Sequence, residues 1–285
     1  MKEKLKKPTL IKDTDSMHYM FPYLLKNRTD CEAYISETVD ITKLNEYLEK
    51  KNYDGISFKY TFFHVIAFAM AKVICLRPRM NRYYCNNKYY QRNFIRLAFV
   101  AKKIFSDEGG ESLIIYDVPE KATIDTFHSQ LEKRLVPIKS GGESSTGDIM
   151  DLLAKLPRPI FSLVMNTIYW LDKHAKLPQS LCNDDPYHAS VFISNLGSIK
   201  LNSGYHHLTN FGTNSFFAII GEKRSVSVKE ANGEEKEHIF LDLGITLDER
   251  IADGYYFAKT LRLMRHLLQN PELLELPIEQ EVAFE

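Results

Sequence analysis

The residues of this sequence that could move a proton include two adjacent histidines in the segment SGYHHLTNFG. His206 and His207 come a few residues after the turn that follows Ser194. An imidazole can accept a proton near neutral pH, so either histidine could act as a general base. If the segment is a strand, the two rings face opposite ways and at most one enters a cleft. The alternative is a pair of loop or interface histidines bonded to the backbone.

Metal binding is not the expected chemistry of this chain. The four cysteines are far apart and form no C-x-x-C pair, which disfavours both a zinc site and a disulfide framework; they are Cys31, Cys75, Cys85 and Cys182. The histidine pair lacks obvious further ligands, and the other histidines weighed as distant ligands are His64, His128, His174 and His188. We therefore expect no metal and a reducing compartment.

The composition is that of a globular protein with no preference for polyanions. Of the 285 residues, 44% are hydrophobic and 26% charged, and 37 basic residues balance 37 acidic ones. We therefore expect neither a nucleic-acid nor a membrane partner. The run NRYYCNNKYYQRNF could stack on bases, but the neutral balance favours a strand pair or a subunit interface. The start MKEKLKK lacks a following apolar region, which predicts a cytoplasmic protein.

Helical and strand patterns are interspersed along the first half of the chain. A strand at 35–39 precedes a helix that ends near Asn52. The segment FKYTFFHVIAFAMAKVICL is apolar on nearly every face, which predicts a buried helix that Pro78 stops. Strands at 95–102 and 112–116 are followed by helices near 123–135, 148–155 and 159–174.

The second half contains the clearest hairpin. In SVSVKEANGEEKEHIFLDLGITLD, Asn232 and Gly233 suit a tight turn, and alternate residues from Ile239 to Leu247 are apolar. The second strand of this hairpin leads into LDERIADG, which precedes a closing helix that ends before Pro271. The pattern predicts an α/β fold, a mixed sheet covered by helices, in one domain over 1–285 with a loosely ordered arm at 1–15.

The stretch LDERIADGYYFAKTLRLMRHLLQNP at 247–271 resembles the C-terminal signature of the 2-oxo acid dehydrogenase acyltransferases, D-H-R-x-x-D-G before a closing helix. VFISNLGSI at 191–199 resembles their strand F-T-I-S-N-L-G. VDITKL at 39–44 is similar to the family's early strand-to-helix step, and RPRMN at 77–81 to its P-x-x-N after the core helix. The matches keep one order over roughly 235 residues. The resemblance implies a chloramphenicol acetyltransferase-like mixed β-sheet covered by helices, in a stand-alone member without a lipoyl domain.

The same resemblance implies thiol-dependent acyl transfer. In the family, a histidine takes the proton of a coenzyme A or dihydrolipoamide thiol, the thiolate attacks the acyl carbonyl, and a hydroxyl donates to the oxyanion. By position Ser194 is that donor, and Asp253 is the structural carboxylate, expected to be buried and paired with an arginine. Without the resemblance, Ser194 would be interpreted as a strand-end hydroxyl bonded to the backbone.

The remaining motif positions are structural, apart from that of the catalytic histidine. Gly254 is the tight start of the last helix, and the other motif residues are Arg250, Asn195 and Gly197. The family's histidine position is occupied by Glu249. A thiol pKa near 8.5 lies about 4 units above that of an ordinary glutamic acid and about 2 above histidine, so this exchange costs about 3 kcal/mol of driving force.

Two functions follow. In the first, the protein moves an acyl group between coenzyme A, or a lipoyl-type thiol, and a small acceptor, with Glu249, His206 or His207 as the base. In the second it is a pseudoenzyme for ligand binding or assembly, in which Glu249 is salt-bridged beside Arg250. Family members share their active site between neighbouring subunits of a homotrimer, so the resemblance implies a homotrimer here.

Overall fold

The computed structural model describes residues 6–53, 55–102, 111–139, 154–183, 185–230 and 233–284. Within them the strands are β1 (Thr9–Leu10), β2 (Glu32–Asp40), β3 (Arg82–Cys85), β4 (Lys88–Gln91), β5 (Ile95–Lys102), β6 (Glu111–Val118), β7 (Val191–Asn195), β8 (Phe216–Lys229) and β9 (Glu235–Asp248). The helices are α1 (Ser16–Leu24), α2 (Thr42–Lys51), α3 (Phe62–Leu76), α4 (Ile124–Lys139), α5 (Arg158–Lys173), α6 (Gln179–Asn183) and α7 (Gly254–Gln269).

A six-stranded mixed sheet with the order β2-β9-β8-β7-β5-β6 organises the fold. Strand β7 runs parallel to both β5 and β8, and the other neighbouring strands are antiparallel. The mixed sheet predicted from the pattern is confirmed, as are the β8-β9 hairpin and the closing helix. Gly233 adopts the predicted positive φ of 88°, whereas Asn232 and most of the predicted helix at 148–155 lie outside the described residues.

Helix α3 is the centre of the main core, as its uniformly apolar sequence predicts. It contacts α4, α7 and β5, and alternate residues of β9 from Leu241 to Leu247 reach the same core. Lys72 is fully buried in this helix. Its amine donates to the carbonyl oxygens of Leu273 at 3.1 Å and Pro277 at 2.9 Å, so the buried nitrogen keeps hydrogen-bond partners. The described helices include none that is long and apolar enough to cross a membrane.

A second, smaller sheet has the order β1-β4-β3. The aromatic run predicted to line a strand pair forms the β3-β4 hairpin, whose turn residues Asn86 and Asn87 have φ values of 50° and 56°. Strand β1 adds to the free edge of β4. Within the predicted N-terminal arm at 1–15, Thr9–Leu10 thus forms a short strand, because the hairpin edge offers backbone groups for pairing. Residues 1–5 are outside the described ranges.

The loop at 200–212 covers part of the sheet face opposite the main core. A Cβ added to Gly244 of β9 would lie 1.8 Å from the carbonyl oxygen of Gly204, so only glycine permits this approach. Beneath the loop, the cluster of Phe192, Phe217 and Leu208 forms a smaller core. We call this side of the sheet the loop face.

Candidate active site

Strand β9 ends in a buried ion-pair cluster. The carboxylate of Asp248 is fully buried and accepts hydrogen bonds from Nε of Arg250 at 2.8 Å and from its Nη2 at 2.7 Å. Nη1 of Arg250 donates to the carbonyl oxygen of Leu25 at 2.7 Å, and Nε of Arg28 lies 3.7 Å from Asp248 Oδ2. Burial lowers the pKa of Arg250, but the Asp248 carboxylate raises it by more, so the pKa lies above its ordinary value. The cluster fixes the short 3₁₀ turn Glu249–Ile251.

That turn presents Glu249 to solvent. Its backbone nitrogen donates to the carbonyl oxygen of Cys31 at 2.8 Å, while its side chain is exposed. In the described part of the chain no cation pairs with the Glu249 carboxylate. The structure thus differs from the predicted Glu249–Arg250 salt bridge, because the arginine is held by Asp248 in a bidentate pair.

Asp253 differs from its predicted role as a buried carboxylate. It is exposed, caps helix α7 by accepting from the nitrogen of Tyr256 at 2.8 Å, and lies 3.6 Å from Nη1 of Arg79 at the surface. The buried aspartate paired to an arginine is Asp248, because it lies at the end of a central strand and Asp253 lies beyond the turn. Gly254 begins α7 as predicted, but no atom lies within 4 Å of an added Cβ.

Ser194 lies near the end of β7 on the loop face and is half-buried. Alternation along the strand sends Ile193 into the main core and turns Ser194 to the other side. The following turn depends on Gly197, where a Cβ would lie 2.4 Å from the carbonyl oxygen of Gly221. Asn195 ends the strand, and its carbonyl oxygen accepts from the hydroxyl of Ser198 at 2.7 Å.

His206 and His207 lie in the loop that covers this face, and both are exposed. Their rings stack with centroids 4.5 Å apart, and His206 also stacks on Phe217 at 4.2 Å. The segment is a loop and not a strand, so the alternation that would turn the two rings to opposite faces does not apply. Nδ1 of His206 lies 2.7 Å from the carbonyl oxygen of His207. A carbonyl only accepts, so Nδ1 carries a hydrogen, and in the neutral form of the ring Nε2 has the lone pair.

The sheet register gives the approximate distances between these candidate residues within one chain. Ser194 is level with Ile219, two residues along β8 from the Phe217 ring on which His206 stacks. This places the Cα atoms of Ser194 and Phe217 about 8 Å apart. Ile219 is level with Gly244, which lies five residues before Glu249. About 19 Å therefore separates the Cα atoms of Ser194 and Glu249 within one chain.

A second buried hydrogen-bond network, which the sequence did not predict, ties helix α5 to the end of the loop at 200–212. Nε2 of His188 lies 2.9 Å from Asp172 Oδ1, and its Nδ1 lies 2.6 Å from Asp185 Oδ2. Asp172 also accepts from the nitrogen of Gly212 at 2.8 Å, which ties α5 to the end of the loop. Burial lowers the pKa of His188, but the two carboxylates raise it to about 11. From the sequence alone, His188 enters only as a distant metal ligand.

No group of three metal-ligating side chains occurs among the residues that the structure describes. Comparisons of the sequence with models of protein families and with curated proteins find no match. Comparison with solved structures does find similar folds.

The comparison with solved structures covers almost the whole chain. A probable dihydrolipoamide acetyltransferase from Listeria monocytogenes superposes with a TM-score of 0.59 over 97% of this chain and 99% of that chain, at 13% identity. The dihydrolipoamide acetyltransferase of Azotobacter vinelandii gives 0.60 over 93% of each chain at 14% identity. A chloramphenicol acetyltransferase gives 0.55 over 93% and 99% at 10% identity. The chain therefore has the fold of the chloramphenicol and dihydrolipoamide acetyltransferases, in a divergent form.

Proposed function

We propose that this protein moves an acyl group between coenzyme A, or a lipoyl-type thiol, and a small acceptor at the loop face. The observation that carries the proposal is that Ser194 and the Phe217 ring on which His206 stacks share the loop face of an acetyltransferase fold. The four cysteines are free thiols, which fits the cytoplasmic location that we propose with it.

The spacing of residues in one structural relative supports the same proposal. The study of the A. vinelandii acetyltransferase concerns a serine, a histidine and an asparagine in its catalytic mechanism, with the histidine 52 residues after the serine and the asparagine four residues later. In this chain Glu249 follows Ser194 by 55 residues and Asp253 follows four residues later. The order and separation are similar, and the side chains at the last two positions are carboxylates.

His206 is our first candidate for the base. Its Nε2 lone pair takes the thiol proton, the thiolate attacks the acyl carbonyl carbon, and the Ser194 hydroxyl donates to the developing oxyanion. Collapse of the oxyanion transfers the acyl group to sulfur, and the protonated His206 returns its proton to the departing atom of the donor. Transfer from acetyl-CoA to an acceptor follows the same steps in reverse, with coenzyme A as the leaving thiol. His207 is stacked on His206 and is the second candidate. Glu249 would have to come from a neighbouring copy, because its own Ser194 is about 19 Å away.

Acyl transfer can be tested with the purified protein and acetyl-CoA. In the assay, thiol, hydroxyl and amine acceptors are added separately while release of free coenzyme A thiol is recorded. We expect acceptor-dependent turnover and a thermal shift with coenzyme A. Turnover absent with every acceptor, together with no thermal shift, would contradict the proposal. A thermal shift without turnover would favour the ligand-binding pseudoenzyme, which the replacement of the family's histidine by Glu249 also favours.

The identity of the base gives a separate prediction. We expect His206→Gln to lower kcat/KM by about 10²-fold or more, because general base catalysis contributes roughly 10²–10⁴. The matched control His207→Gln should change it by less than about 10-fold, since the His207 carbonyl that orients His206 remains. If Glu249→Gln abolishes turnover and His206→Gln does not, the base is Glu249 of a neighbouring copy.

We also propose a homotrimer, which is supported by apolar side chains left open on two helices. Those at least half exposed on α1 are Met17, Tyr19, Met20, Tyr23 and Leu24, and on α5 Ile160, Leu163 and Trp170. Such patches are typical of surfaces that other protein covers. Light scattering should give about 99 kDa, three times the 33.1 kDa of one chain. A monomer at micromolar concentration would contradict the assembly.

A further inference from the structure

A separate cavity lies between the β3-β4 hairpin, the start of β5 and the segment from Asp172 to Asn183. Its volume is about 330 Å³, within the range of small-molecule pockets. The side chains of Tyr83, Tyr90 and Phe94 line it, together with Leu177 from the segment before α6. None of the acyl-transfer candidates lines this space, which we call the Arg92 cavity.

Arg92 is the unusual group in its wall. The residue is 3% exposed, and Nη2 donates to the carbonyl oxygen of Thr213 and to its hydroxyl at 2.9 Å. The guanidinium also lies over the ring of Tyr83, 4.4 Å from its centroid. Nη1 is buried and has no hydrogen-bond partner. Within the described ranges no carboxylate pairs with Arg92, so the fold holds a buried positive charge without a counter-ion.

The other buried charged groups of the wall have hydrogen-bond or ion-pair partners. Asp172 accepts from His188 and from the nitrogen of Gly212. Arg96 forms a bidentate pair with Asp117 at 2.7 and 3.0 Å. Lys7, exposed at the rim, adds further positive charge. Arg92 is therefore the buried charged group of the wall that has no counter-ion among the described residues, and its Nη1 is a buried donor without a partner.

We propose that the Arg92 cavity binds a small carboxylic acid, with the carboxylate against the Arg92 guanidinium and an apolar body against Tyr83, Tyr90 and Phe94. A carboxylate supplies the missing counter-ion and accepts a charge-assisted hydrogen bond. The aromatic walls favour a flat or aliphatic body over a bare inorganic anion, which would leave apolar surface in contact with water. This site is independent of the acyl-transfer proposal.

Calorimetric titration of the whole protein tests the site, with benzoate and hexanoate as probes, benzamide as the neutral analogue and phosphate as the bare anion. We expect the two carboxylates to bind and benzamide to bind at least ten-fold more weakly. Arg92→Gln should weaken benzoate at least ten-fold, and Arg92→Lys should retain part of the affinity. The control Arg224→Gln removes an exposed arginine of β8 and should leave binding unchanged.

A second variant keeps the test decisive if Arg92→Gln fails to fold. Leu177→Trp leaves Arg92 in place and fills the cavity, so benzoate binding should again be lost while the melting temperature stays within a few degrees. Absence of carboxylate binding at millimolar concentration would overturn the proposal. So would a response to phosphate alone, or benzoate binding that neither the Arg92 variants nor Leu177→Trp changes.

Discussion

Replacing Asp248 by asparagine is expected to lower the free energy of unfolding by about 3–5 kcal/mol. Asp248 is fully buried and is the carboxylate partner of Arg250 and of Arg28. The substitution keeps the shape of the side chain and removes its charge, which leaves two buried guanidinium groups without a counter-ion. Urea unfolding followed by circular dichroism measures the loss, and the turn that presents Glu249 should be disturbed with it.

Asp242 supplies the matched control on the same strand and the same face. It pairs with Arg224, but the arginine side chain is 49% exposed and the aspartate 22%. Exposed pairs contribute about 0–1 kcal/mol, so Asp242→Asn should cost less than about 1 kcal/mol. Equal losses of unfolding free energy for the two variants would show that burial is not the reason the Asp248 cluster stabilises the fold.

Replacing Ser194 by alanine is expected to lower kcat/KM for acyl transfer by about 10²–10³, the effect of removing one oxyanion donor. The loss should fall mainly on kcat, because the hydroxyl acts on charge that develops in the transition state. Ser194 is half-buried on the loop face, and we expect its melting temperature to change little. The rates are measured as release of free coenzyme A thiol at saturating acceptor.

The control for this variant is Ser198→Ala. Ser198 follows in the turn after β7, is exposed, and donates to the carbonyl oxygen of Asn195. It lies outside the strand that positions Ser194, so its removal should cost less than about ten-fold in kcat/KM. If Ser194→Ala retains the turnover of Ser198→Ala, Ser194 is not the oxyanion donor.

Much of the sheet could be predicted because local sequence patterns determine its strands. The alternation from Ile239 to Leu247 and the turn glycine Gly233 predicted the β8-β9 hairpin, and uniform apolarity predicted the buried helix α3. The position of Ser194 at the end of a strand was also predictable. The loop face was not, because the close approach of Gly204 to Gly244 depends on residues 40 positions apart.

The burial and pairing of the charged residues were harder to predict from the sequence. Asp248 and Asp253 are the same residue type five positions apart, and only the register of β9 shows that the first is buried. The His188 network joins residues that the sequence separates, as does the Arg92 cavity. Burial converts these ordinary side chains into groups that require a partner, and burial is a property of the assembled fold.

We propose the loop face that carries Ser194 and His206 as the acyl-transfer site. A crystal structure of the protein with bound coenzyme A tests it most directly. We expect the coenzyme A sulfur within hydrogen-bonding reach, about 3.2 Å, of His206 Nε2 or of a neighbouring copy's Glu249, with the Ser194 hydroxyl beside it. Coenzyme A bound away from this face, or Ser194 enclosed in the assembly with no channel to it, would contradict the claim.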